Sequence, residues 1–194
     1  MSQPIDLGGA ARALADVLSG VKDDQLSAPT PCPDYTLGTL IAHVDGLCSA
    51  FTWAAAKDFP DGAAEAPDDA PRLEPEWRTR IPEKLTALAE AWRDPAAWEG
   101  MTQAGGVDLP GQVAGVVALD EIVVHGWDIA RATGQPYRAP DDAVEACIGL
   151  FDPTVLDLPE DGPFGRPVPV PADAPPLDRL VGLAGRDPDW APGR

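Results

Sequence analysis

One segment, PGQVAGVVALDEIVVHGWDIARATG (110–134), limits what this chain can fold into. Pro110 suits the first position of a helix, where its missing N–H would have had no partner, and Gly134 suits the left-handed stop at the far end. A long helix over about 110–133 is predicted. Its apolar residues Val113, Val116, Val117, Ile122, Val123, Val124, Trp127 and Ile129 are numerous enough that part of the charged row among them must be buried.

Other segments offer the partners such a helix needs. Ile5, Leu7, Ala11, Leu14 and Leu18 recur at helical spacing and Gly20 follows, predicting a helix over 5–19. Thr36 is placed as the N-cap of a second helix running to about Ala56, with a broad apolar face that includes Leu37, Leu40, Ile41, Val44, Leu47, Cys48 and Phe51. A third runs from Trp77 to about Asp94 on Ile81, Leu85, Leu88 and Trp92, despite Pro82 near its start. A shorter fifth spans about 141–151, and a turn of helix is expected around 177–183. Between Trp98 and Leu109 an extended crossing is expected, and no strand series stands out.

Four substantial amphipathic helices bury their faces most economically as a bundle, so the fold class is all-α. The chain reads as one domain: a helical bundle over 1–151 and, over 152–194, an extension with ten prolines wrapped on it. The acidic, proline-rich stretch 58–75 has no period and reads as a surface loop, a candidate lid.

Charge narrows the function. Acids outnumber bases 32 to 14, a formal charge of −18, which argues against nucleic-acid or anionic-membrane partners. Cys32, Cys48 and Cys147 are odd in number and without metal or disulfide spacing, so reduced thiols are expected. With no leader pattern or long apolar span, the expected location is the cytoplasm.

The chain contains two histidines, His43 and His125. Glu121 precedes His125 by four residues and Asp128 follows by three, so the three share one face of the long helix. Such a buried cluster needs compensation. A divalent metal supplies it, since imidazole and carboxylate suit zinc, nickel or iron. His43, Glu121 and His125 are then the candidate ligands, with Asp128 a fourth ligand or an acceptor for an imidazole N–H. A buried hydrogen-bond network fixing helix packing accounts for the same cluster. Arg131 is placed to pair with Asp128; the second role for Arg131, with Trp127, is to hold a cofactor or a substrate carboxylate. Cys32, between Pro31 and Pro33, reads first as part of a rigid loop.

The segments TPCPDYTLGTLIAHVDGL (30–47) and DEIVVHGWDIARATGQP (120–136) resemble the mycothiol-dependent maleylpyruvate isomerase N-terminal domain group of the DinB-like metal-binding superfamily. The tail FGRPVPVPADAPPLDRLVGLAGRDPDW is similar to an uncharacterised actinobacterial subgroup of it. The resemblance implies a four-helix bundle holding a divalent metal, commonly zinc, through positions that fall on His43, Glu121 and His125.

It further implies transfer or isomerisation chemistry joining a low-molecular-weight thiol, mycothiol or its like, to a small electrophile. The isomerase proper looks like a two-domain protein, so maleylpyruvate is not assigned as substrate here. The alternative is a non-enzymatic metal-binding or stress-related ligand-binding module. A monomer or homodimer is expected.

Overall fold

The computed structural model describes residues 5–60, 72–152, 155 and 165–193. Four helices make the bundle: α1 (Gly8–Ser19), α2 (Leu37–Ala56), α3 (Trp77–Ala91) and α4 (Gly111–Thr133). Around the bundle they run α1, α3, α2, α4, each packed on the two beside it. The all-α expectation holds. Two short helices follow, α5 (Asp141–Leu150) against α4 and α6 (Pro176–Leu183) against α5.

Local chemistry sets these boundaries. Thr36 caps α2 with its hydroxyl accepting from the Thr39 N–H, and α4 stops at Gly134 in the left-handed region (φ 71°). Pro110 is the N-cap of α4, one residue earlier than the predicted first turn, because it closes a strand. Leu14, Leu40, Ile41, Leu85, Leu88, Leu119, Val123 and Ile129 form a core with almost no exposure.

The crossing between α3 and α4 differs from expectation. Met101–Ala104 (β1) and Val107–Pro110 (β2) pair as an antiparallel hairpin, with Ala104 opposite Val107. Gly105 and Gly106 both take positive φ, 58° and 78°, as a two-residue hairpin turn requires. The Gly-Gly pair between short extended runs was the signal for it. Before the hairpin, Trp98 packs edge-on against Trp92 with ring centroids 5.2 Å apart, and Gly115 on α4 leaves room for both rings.

The carboxy-terminal extension is more than a wrapping. Leu180, Val181 and Ala184 have no exposed surface, and Arg186 is also buried. The proposed lid over 58–75 falls mostly outside the described residues. Among the described residues, no helix is long and apolar enough to cross a membrane.

Candidate metal centre

Helix α4 carries the charged row as its spacing requires. Glu121, His125 and Asp128 lie along one face; Asp128 is wholly buried and the His125 side chain is 6% exposed. His125 Nε2 stands 3.0 Å from Glu121 Oε2, and its Nδ1 stands 3.0 Å from Asp128 Oδ2. Both ring nitrogens therefore face carboxylates. Burial works against protonation of His125, but the hydrogen bonds to Asp128 and Glu121 and their negative charges prevail and raise its pKa to about 9. Glu121 answers with a lowered pKa: burial works against its charged form, and the hydrogen bond and charge of His125 outweigh it.

His43 reaches the row from α2. Its ring lies 5.3 Å from that of His125, edge to face at 83°, and Tyr35 stacks on it at 5.1 Å. Burial, then the neighbouring His125 charge, lower its pKa, so its nitrogen is more readily a free lone pair. One donor atom from each of His43, Glu121 and His125 lies within 4.8 Å of the others. Two imidazole nitrogens and a carboxylate oxygen at that separation fit one divalent ion after small side-chain shifts, given metal–ligand bonds of about 2.0–2.2 Å. Three protein donors leave room for a further ligand. The cluster opens into a cavity of about 540 Å³, lined also by Cys32, Tyr35, Asp120 and Arg186.

Arg131 does not pair with Asp128. Its guanidinium turns outward from the row, donating to the carbonyls of Pro188 (3.0 Å) and Trp190, and lies 5.5 Å from the Trp127 ring centroid. The helical spacing to Asp128 is favourable, but the Pro188 and Trp190 carbonyls of the carboxy-terminal segment take the guanidinium instead. Neither Arg131 nor Trp127 lines the cavity. The cation facing Asp128 is instead Arg186, whose Nη2 donates to Asp128 Oδ2 at 3.2 Å.

Three groups in the cavity escaped the sequence reading. Tyr35 lies in the TPCPDYT turn, where nothing in the spacing pointed it at His43. Asp120 sits beside Glu121 but is fully buried, and burial followed by the Glu121 charge drives its pKa well up, favouring the neutral acid. Arg186 lies 58 residues beyond Asp128, and no periodicity joins them. Cys32 also lines the cavity, and burial, partly offset by Arg186, raises its thiol pKa to about 11. Cys48 is buried on the apolar face of α2, and Cys147 is buried on α5.

Comparison with known proteins bears on this geometry. Two uncharacterised proteins of Mycobacterium tuberculosis, from strains CDC 1551 and H37Rv, are each 31% identical to this chain over 183 residues, covering 91% of it and 93% of their own length. No solved structure gives a significant match. A family model matches residues 7–130, a span that holds His43, Glu121 and His125 and stops short of the segment bearing Arg186. The chain belongs to the mycothiol maleylpyruvate isomerase N-terminal domain family.

Proposed function

We propose that His43, Glu121 and His125 hold a divalent metal, zinc foremost, with nickel and iron suited to the same donors, and that the protein is a thiol-dependent transferase or isomerase. The convergence of those three donor atoms within 4.8 Å, at the wall of an open cavity, carries the reading. A metal bound there supplies one chemistry above all: it turns a coordinated thiol, whose free pKa is about 8.5, into a thiolate at neutral pH.

The chain's own residues do the rest. Asp128 accepts the Nδ1 proton of His125 and so leaves Nε2 as the donor toward the shared site. His43, its protonation disfavoured by burial, needs no proton removed at neutral pH. Tyr35 holds the His43 ring by stacking. In this reading the nucleophile is an external thiol; in the metal-free chain burial pushes all three cysteines toward the neutral thiol, Cys32 to about 11 and Cys48 to about 12. The thiol would be of the mycothiol type, the class attached to the family, and the cavity of about 540 Å³ is of the size that takes small-molecule ligands.

The test has two stages. Protein purified without chelator is assayed for bound metal, and the His43→Ala variant is assayed beside it. Near one metal per chain in the wild type, with loss in the variant, is the expected result; equal stoichiometry in both would show that the donors are misassigned. Mycothiol with a panel of electrophiles then reads turnover. Saturable binding of the thiol with no product would replace the transferase with a ligand-binding module.

A further inference from the structure

Resting on the metal reading above and extending it, we infer that Arg186 is a positioning residue of the centre, acting through Asp128 to fix the orientation of His125. The carboxy-terminal segment is then part of the site.

One carboxylate oxygen joins the two. Asp128 Oδ2 accepts from His125 Nδ1 at 3.0 Å and from Arg186 Nη2 at 3.2 Å. The Asp128 side chain has no exposed surface and that of Arg186 is 10% exposed. Among the described residues these are the two cationic partners of Asp128. Asp128 Oδ1 has no hydrogen-bond partner among the described residues, so the carboxylate is anchored at Oδ2, and without Arg186 the His125 ring alone would hold it there. The carboxylate so anchored sets the plane of the His125 ring through its contact with Nδ1. Arg186 therefore orients the His125 ring through the carboxylate oxygen that the two share.

The tail is folded to deliver this guanidinium. The Arg186 N–H donates to Val181 O at 2.8 Å, and its Nη1 donates to Ala184 O at 2.6 Å. Gly185 takes φ +82°, and a Cβ there would lie 2.6 Å from the Gly165 Cα. Val168 N–H donates to Gly182 O at 2.8 Å, tying the extended run to the end of α6. Backbone packed this closely leaves Arg186 little latitude. An arginine that served only the fold of the tail would leave Zn²⁺ affinity untouched in a variant that folds, so affinity separates the two roles.

Zn²⁺ affinity is measured on the full chain by competition with a chromophoric chelator, alongside circular dichroism and thermal unfolding. Arg186→Met is expected to weaken Zn²⁺ binding by about 10- to 100-fold, with Arg186→Lys recovering part of the loss because it restores a charged donor that can reach toward Asp128. Gly185→Ala, which displaces the arginine without altering charge, should also weaken binding, while Arg131→Met should not. Wild-type affinity in a folded Arg186→Met protein overturns the positioning role and leaves the metal reading intact. If that variant fails to fold, unchanged affinity in both Arg186→Lys and Gly185→Ala overturns it equally. A wild-type chain that takes up no Zn²⁺ brings down the metal reading, and this inference with it.

Discussion

His125 Nδ1 stands 3.0 Å from Asp128 Oδ2, while Nε2 of the same ring faces Glu121 Oε2 at an equal distance. Replacing the carboxylate by an amide keeps size and an acceptor but removes the charge. Asp128→Asn is expected to lower metal affinity by about 10- to 100-fold, read by chelator competition, and to lower the His125 pKa, read by NMR of the metal-free protein.

Stability of the metal-free chain should depend on pH through the same ring. The His125 pKa is about 9 in the fold, against 6.5 for the free side chain. Its contribution is fully present below about pH 6.5 and is lost as pH rises through 9, a change of about 3 kcal/mol. His43 acts oppositely, since its lowered folded pKa makes stability fall as pH drops below about 6.5. Urea unfolding of metal-free protein between pH 5 and 10 should therefore show a maximum in the intermediate range, and a curve rising steadily to pH 10 would contradict the His125 assignment.

Metal reverses the alkaline limb. If His125 is a ligand, coordination at Nε2 would displace the proton that now lies toward Glu121, so Zn²⁺ binding should tighten with rising pH through the titration of that ring, with protons released to buffer. Calorimetry in two buffers of different ionisation enthalpy measures the release.

Arg131 should behave as a stability residue. Its removal leaves the Pro188 and Trp190 carbonyls without their donor, at a cost of about 1–3 kcal/mol. Denaturant midpoints of Arg131→Met should drop while thiol turnover per folded molecule stays at the wild-type value.

Gly115→Ala probes the bundle away from the centre. The added methyl would lie 2.6 Å from the Trp98 ring and 2.9 Å from Trp92, both held by hydrogen bonds, Trp92 to Phe51 O and Trp98 to Trp92 O. A loss of about 1–3 kcal/mol is expected by overpacking, measured as a lower Tm with unchanged metal stoichiometry.

What the sequence made legible was whatever repeats within one helix. The apolar periods located α1 to α4, and the spacing of Glu121, His125 and Asp128 placed three charged groups on one face because a helix fixes them there. Gly134 and Thr36 marked real ends for the same local reason. Contacts between distant segments were less accessible. His43 was reached because the chain offers just one other histidine, whereas Tyr35 and Arg186 carry no such scarcity. Arg131 illustrates the limit: a favourable helical spacing to Asp128 lost to backbone carbonyls contributed by residues more than fifty positions away. The hairpin was overlooked because its strands are four residues each, too short for alternation to stand out.

Helix α4 sets Glu121, His125 and Asp128 on one continuous spiral, and this makes the region intolerant of length change. A single residue inserted between Glu121 and Asp128 would turn everything downstream through about 100°, swinging Asp128 off the shared stripe. Deletion would do the same in the other sense. Relatives of this protein should therefore keep those eight positions in an unbroken count, with buried, closely packed side chains filling the places between.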